Sequence, residues 1–337
     1  MPPKKILITG ASGFVGGRLL KSLTTTYPDA LVLGTGRRND RQAEFAALGC
    51  QYQPGDLVNF ADCERLVAGA DVIIHCAGLS SPWGTYSEFY AANVQSTLNL
   101  LQSAQAQGTQ RFILISTPSV YFNYQDRFNL KESDPLPNPM VNHYAVTKYQ
   151  AEQETLKLNR PDFETIALRP RAIIGAEDAV IFPRVLRAYE EGRLKIVGDG
   201  KNIVDMTCAS NLIAAVEACL KAEHSAFGEV YNITNGEPKP LWETIGHFLQ
   251  ALDLPPITKK IPKRIALVAA SLNEFVHRYF LGGREPALTR YSIGILSTAM
   301  TMDISKAREK LGYQPVQTTL EGINEFVAWY KTQPRLS

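Results

Sequence analysis

The sequence predicts an α/β fold: a doubly wound parallel sheet carrying a smaller, mostly helical C-terminal substrate lobe. Three observations predict it. In the first half of the 337 residues, short apolar runs alternate with longer stretches of helical spacing. The runs are almost continuously apolar, as strands buried on both faces must be. After about residue 170 the alternation loosens into loops, then into helical segments. Strands that alternate with helices through right-handed crossovers close into a parallel sheet covered on both sides. The expected division is 1–170 and 171–337, with some later segments returning to the sheet.

The elements follow in order. KILITG is the first strand, and GASGFVGGRLL turns it into a helix. Gly10, Gly13 and Gly16 form G-x-x-G-x-x-G, enclosing Ser12, Phe14 and Val15. Gly10 allows a tight turn, Gly13 lets backbone approach a pyrophosphate, and Gly16 lets helix and strand pack closely. The helix N-terminus offers free N–H groups and partial positive charge to phosphate. This strand, turn and helix specify a Rossmann-type dinucleotide site.

The second strand ends LGTGRRND. An acid there would bind the ribose hydroxyls of NAD, and an arginine would accept the 2′-phosphate of NADP. Gly36 takes the acid's place, and Arg37 and Arg38 follow. NADP(H) is therefore expected, with NAD(H) the alternative if a longer strand brings Asp40 to the ribose. The third strand, QYQPGD, delivers Asp56 and Leu57 to the adenosine side, where Asp56 also suits a helix N-cap. The fourth, DVIIHCAG, ends at Cys76, Ala77 and Gly78 beside the cofactor groove. RFILIST is the fifth strand and ETIALRP the sixth, ending at Pro170.

Between them, HYAVTKYQAE places Tyr144 and Lys148 on one helix face. Of fourteen tyrosines, only Tyr144 has Lys four positions on. About one such pair is expected by chance at ordinary lysine usage, so its neighbours must give it meaning.

Hydrophobic residues make up 45 % and charged residues 20 % of the chain, and the net charge is +2. Its scattered basic residues give no electrostatic case for nucleic acid. Cys50, Cys63, Cys76, Cys208 and Cys219 are odd in number and lack CxxC spacing, so they read as buried small hydrophobes in a reducing compartment. No metal site is expected, and His143 reads as a helix-start residue. MPPKKILITG has too short an apolar run for a signal peptide, which points to the cytoplasm. PRLS reads as a frayed end. The segment from Ile261 has only IALVAA as its uninterrupted apolar core, far short of the ~20 residues that span a bilayer. It reads first as a packed core helix, with an apolar lid or a peripheral membrane contact as alternatives.

A glycine turn, a strand ending in hydroxyl residues and Tyr-x-x-x-Lys occur here in that order. In this the chain resembles the short-chain dehydrogenase/reductase superfamily, in its extended branch. DISKAREKLGYQP is similar to that branch's C-terminal segment. The resemblance implies Tyr144 as acid/base, Lys148 as the group that lowers its pKa and holds the nicotinamide ribose, and Thr117 as the hydroxyl orienting the substrate oxygen. Thr117 lies before Val120-Tyr121, with Ser116 and Ser119 ranked below it. Homodimers through helices near 90–105 and 145–158 are also implied.

Nucleotide-sugar epimerases of the branch carry an Asn where this chain has Ala172 and an Arg where it has Val204. Both changes remove polar contacts that a diphosphate needs. GLSSPWGTYSEFYAANV, STPSVYF and LRPRAIIG are instead similar to the 3β-hydroxysteroid (sterol) dehydrogenases and the 2-alkyl-3-ketoalkanoate reductases. The function implied is interconversion of a secondary alcohol and a ketone on a hydrophobic substrate, a 3β-hydroxysteroid or a β-hydroxy/β-keto acid. Ser80, Trp83 and Arg171 join Thr117 and Tyr144 as expected substrate residues. Tyr86, Phe89 and the helix from Ile261 are expected to line the pocket, and Arg171 or Arg184 to meet a carboxylate. The alternatives are a nucleotide-sugar epimerase or dehydratase, and a non-catalytic NADP-binding sensor.

Overall fold

The computed structural model describes residues 3–282 and 284–333, so the expectation for PRLS lies outside the described residues. Seven strands form the main sheet: β1 (Lys5–Thr9), β2 (Leu31–Gly36), β3 (Gln51–Pro54), β4 (Val72–His75), β5 (Arg111–Ile115), β6 (Glu164–Pro170) and β7 (Glu229–Ile233). Their order is β7-β6-β5-β4-β1-β2-β3, and every pair is parallel. Strand order reverses between β1 and β4, the switch point where open α/β sheets bind ligands.

Side chains alternate across a strand, and the two sheet faces feed two cores. Ile6, Ile8, Ile74 and Ile113 pack under α1 (Phe14–Thr26) and α6 (Ala209–Lys221). Leu7, Ile73, Phe112 and Leu114 pack under α3 (Phe60–Val67) and α4 (Ser96–Ala106). α2 (Arg41–Ala47) links β2 to β3, and α5 (His143–Leu156) links β5 to β6. β7 and α6 carry the chain back to the main sheet after residue 170. β7 was not among the strands read from the sequence, because EVYNI is short and lies within a mostly helical region.

The lobe has its own core, centred on Phe182, Phe248 and Phe326, with ring centroids 4.4 and 4.8 Å apart around Phe182. A small four-stranded sheet joins residues 239–240, 203–204, 300–302 and 127–130, so a segment from before residue 170 helps to build it. α7 (Lys263–Tyr279) and α8 (Arg290–Ser297) complete the lobe near the sheet's C-terminal edge.

α7 departs from the core-helix expectation. Only Ala266 and Ala270 are buried along it, with Leu267 half-buried against the lobe core, and most of its larger apolar residues face outward. Among the described residues, no helix is long and apolar enough to cross a membrane. All five cysteines are free; Cys76 is half-buried and the others are buried.

Candidate active site

The first turn is shaped by absent side chains. Gly10 has φ +69°, and a Cβ on it would stand 2.8 Å from the Ala77 nitrogen. A Cβ on Gly16 would collide with the Gly10 carbonyl. Gly13 is exposed, and its missing Cβ leaves the mouth of the turn open. It is the N-cap of α1, whose first turn has neither a side-chain cap nor an acidic residue. Phe14 and Val15 thus begin a helix whose N–H groups no side chain occupies, beside Ser12. These residues fit a dinucleotide pyrophosphate.

At the end of β2, a Cβ on Gly36 would meet Ser12 Oγ at 2.5 Å and Tyr52 Oη at 3.0 Å. An aspartate there would need Ser12 to move. Asp40 lies beyond the strand end and accepts hydrogen bonds from Arg38 Nε and Nη2 at 3.2 and 2.7 Å. The longer strand that would carry Asp40 to a ribose does not form. Arg37 instead lines a cleft of about 370 Å³ with Asn39, Pro54, Gly55, Asp56 and Arg65. The N-cap of α3 is Asn59, not Asp56; Asp56 accepts from the Val58 N–H in the preceding turn. Leu57 is buried, and its carbonyl accepts from Asn99.

β4 ends in a buried polar link. His75 is held between Thr9 Oγ1 at 2.7 Å and Thr97 Oγ1 at 2.9 Å. Burial, aided by the nearby Lys148 charge, pushes its pKa down to about 3, so the ring stays neutral. Burial also raises the neighbouring Cys76 thiol to about 12, leaving it no thiolate character. Ala77 donates its N–H to Thr9 Oγ1. Gly78 brings backbone close to Asn93 and Lys148: a Cβ there would stand 2.8 Å from Asn93 Oδ1.

Asn93 was missed in the sequence. It lies in a π-helical turn (Tyr90–Gln95) leading into α4, and is 1 % exposed. Its Oδ1 accepts from the Leu79 N–H at 2.7 Å, while its Nδ2 donates to Thr147 Oγ1 at 3.0 Å. It therefore ties the loop after β4 to α5. The one clue was a carboxamide among apolar residues in YAANV.

α5 starts at His143, as expected, capped by Asn142 Oδ1 accepting from the Ala145 N–H. One turn separates Tyr144 from Lys148. Lys148 is buried and donates from Nζ to the Ile115 carbonyl at 2.6 Å, at the end of β5. Burial lowers its pKa to about 8, against the pull of Cys76 and Glu152. Two residues past Ile115, Thr117 caps a short 3₁₀ turn and donates to Ser119 Oγ at 3.1 Å. Ser119 Oγ meets Tyr291 Oη at 2.8 Å, which ties α8 to the turn after β5. Tyr291, from α8, is a second residue that local sequence did not flag. Ser116 is committed elsewhere, donating to Glu152 Oε2 at 2.7 Å.

The expected substrate residues divide. Arg171 is buried, its Nη1 lies 3.8 Å from Met300 Sδ, and its Nε has no partner among the described residues. Burial lowers its pKa, with Tyr291 and Asp205 pulling the other way. Ala172 follows with φ +44°. Val204 is turned into the lobe's apolar core. Ser80 is exposed, and Trp83 lies under the Arg278 guanidinium, 5.3 Å from its ring centre. Phe89 does not line a pocket: it is 2 % exposed and packs against the Tyr144 ring. Tyr86 donates to Gln150 on α5. Arg184 is exposed and pairs with Glu285. Pro170 is buried at the end of β6.

Residues 6–234 match the model of the NAD dependent epimerase/dehydratase family. A 2-alkyl-3-oxoalkanoate reductase of Shewanella oneidensis is 31 % identical over 95 % of this chain and 85 % of its own length. A decarboxylating sterol-4-alpha-carboxylate 3-dehydrogenase of Saccharomyces cerevisiae is 31 % identical over 96 % of this chain and 97 % of its own. Among solved structures, a UDP-glucuronic acid 4-epimerase from Bacillus cereus has a TM-score of 0.75 at 22 % identity, covering 97 % of this chain and 98 % of that one, a likeness of fold.

Proposed function

The chain belongs to the NAD dependent epimerase/dehydratase family, and from that premise we propose that it is an NADP(H)-dependent oxidoreductase interconverting a secondary alcohol and a ketone. The substrate is hydrophobic and carries a carboxylate near the reacting carbon, as a β-hydroxy or β-keto acid does; a 3β-hydroxysteroid is the second class. Lys148 carries the reaction type: its ammonium is buried one turn from Tyr144 and bonded to the strand that leads to Thr117. The unpaired Nε of Arg171 supports the carboxylate, and the two relatives of 31 % identity are named for substrates of that kind.

When bound, the nicotinamide supplies or accepts the hydride. Tyr144 gives its phenolic proton to the carbonyl oxygen in reduction and takes it from the alcohol in oxidation. A free phenol, with pKa about 10, is a weak base at neutral pH. Lys148, its Nζ fixed by the Ile115 carbonyl one turn from Tyr144, would hold the nicotinamide ribose and so fix the hydride donor over the reacting carbon. Thr117 holds the substrate oxygen beside Tyr144. On the adenosine side Arg37 would pair with a 2′-phosphate, for which a guanidinium has the right geometry.

Tyr144→Phe is expected to lower kcat by about 10²- to 10⁴-fold while leaving NADPH affinity unchanged in a fluorescence titration; wild-type turnover in that variant would sink the mechanism. Arg37→Ala is expected to weaken NADPH roughly tenfold, the loss of one charge-assisted contact, and to leave NADH unaffected. Tighter binding of NADH than NADPH by the wild type would remove the role given to Arg37. The carbonyl panel for these assays spans β-keto acids, steroids and nucleotide sugars, and turnover confined to the sugars would overturn the substrate assignment.

A further inference from the structure

α7 turns a continuous apolar stripe to solvent. Ile265, Val268, Leu272, Phe275 and Tyr279 repeat at intervals of three and four, and Phe280 extends the stripe at the helix end. These six are between 54 % and 72 % exposed. The buried Ala266 and Ala270 lie on the opposite side of the helix and hold it to the lobe. Seventeen residues make a ridge about 25 Å long. A patch of this extent on a water-facing helix marks an interaction surface.

The charges around the stripe select its partner. Residues 259–281 contain Lys259, Lys260, Lys263, Arg264 and Arg278 against one carboxylate, Glu274. That carboxylate is engaged, accepting from the Arg290 N–H at 2.7 Å. Lys263 turns inward, donating to Thr298 Oγ1 at 3.0 Å; the other four cations still leave this short stretch an outward surplus of positive charge in a chain whose net charge is +2. Basic residues beside an exposed apolar helix face match an anionic lipid surface, where the ridge enters the acyl boundary and the cations meet headgroups. A second copy fits less well: two-fold antiparallel pairing would set Lys259–Arg264 of one helix against Arg278 of the other, like charge facing like.

We propose that the outer face of α7 docks the protein onto an anionic membrane surface. Arg278 stacks on Trp83 beside the expected substrate residues, so docking would bring that side of the molecule to the lipid. The proposal stands on the stripe and its charges, independently of the reaction assigned above.

The test is sedimentation of the full chain with vesicles. Protein should pellet with mixed phosphatidylglycerol–phosphatidylcholine vesicles, far less with phosphatidylcholine alone, and less at high salt. The double variant Leu272→Glu/Phe275→Glu should stay in the supernatant. Lys259→Glu/Arg264→Glu should lower partitioning by roughly tenfold or more. All these side chains are exposed, and unchanged circular dichroism melts show that the variants fold. No pelleting with the mixed vesicles, or equal pelleting with both kinds, would overturn the proposal. So would a fall in molar mass by light scattering in Leu272→Glu/Phe275→Glu, which would make the stripe a contact between copies.

Discussion

Arg169 and Arg171 flank Pro170, and both are buried, yet their surroundings differ in kind. Arg169 donates to both Glu152 oxygens, at 2.9 and 2.5 Å, and to Tyr121 Oη. Ser116 adds a bond to the same carboxylate, and the Tyr121 ring lies 4.8 Å below the guanidinium. Arg171 has an unpaired Nε, and in the lobe Asp205 Oδ1 and both polar side-chain atoms of Asn202 also lack partners among the described residues. A fully satisfied buried network rigidifies a fold. Buried polar groups left open need a reason, and the polar end of the proposed substrate would supply one. Arg169 clamps β6 to α5; Arg171, two residues on, is buried with its Nε unpaired, and it is the residue proposed above to meet a substrate carboxylate.

The largest effect should come from the clamp. Arg169→Met leaves the Glu152 charge buried and unpaired, and should lower the unfolding free energy by about 3–5 kcal/mol in urea titrations. A loss under about 1 kcal/mol would erase the contrast between the two arginines.

Next is Asp205, whose carboxyl burial raises from 3.8 to about 6. The folded state keeps this proton to higher pH than the unfolded state does. Stability therefore falls as pH rises from 3.8 to 6, and the cost, about 3 kcal/mol, is complete above pH 6. Asp205→Asn keeps an oxygen for the Met302 N–H. It should gain on the wild type between pH 4 and 6 and hold that gain at pH 7. Parallel urea melts at those pH values that stay a constant distance apart would show that Asp205 is not strained by burial.

The smallest effect on the fold, and the most specific, belongs to Arg171→Met. Stability should change little. KM for a β-keto acid should rise by about 10- to 100-fold, one charge-assisted hydrogen bond, while a neutral ketone of similar size is unaffected. A rise for both would make Arg171 a packing residue.

The sheet and phosphate turn were legible because they depend on local patterns: continuous apolar strands, glycines at fixed spacing, a helix start. Tyr144 and Lys148 were legible for the same reason, as one helical turn fixes their relation. Asn93 and Tyr291 were not, since each acts on a partner far along the chain: Asn93 on Thr147, Tyr291 on Ser119. Phe89 was misplaced because an aromatic near a site looks the same in sequence whether it faces ligand or packs behind the Tyr144 ring. The outward face of α7 was ranked below core packing for a related reason. An amphipathic pattern shows that a helix has an apolar side, not whether the protein covers it.

The π turn at Tyr90–Gln95 acts as a phase shifter. An α-helix advances about 100° per residue, so the one additional residue in a π turn sets the helix on either side in a different rotational register. After the turn, Leu100, Leu101 and Ala104 keep step with the core beneath the sheet; within it, Asn93 faces Leu79 and Thr147. Deleting one residue would restore regular helix but force a choice, with either the core or the carboxamide out of alignment. The irregularity lets one continuous element serve two masters whose periodicities do not agree.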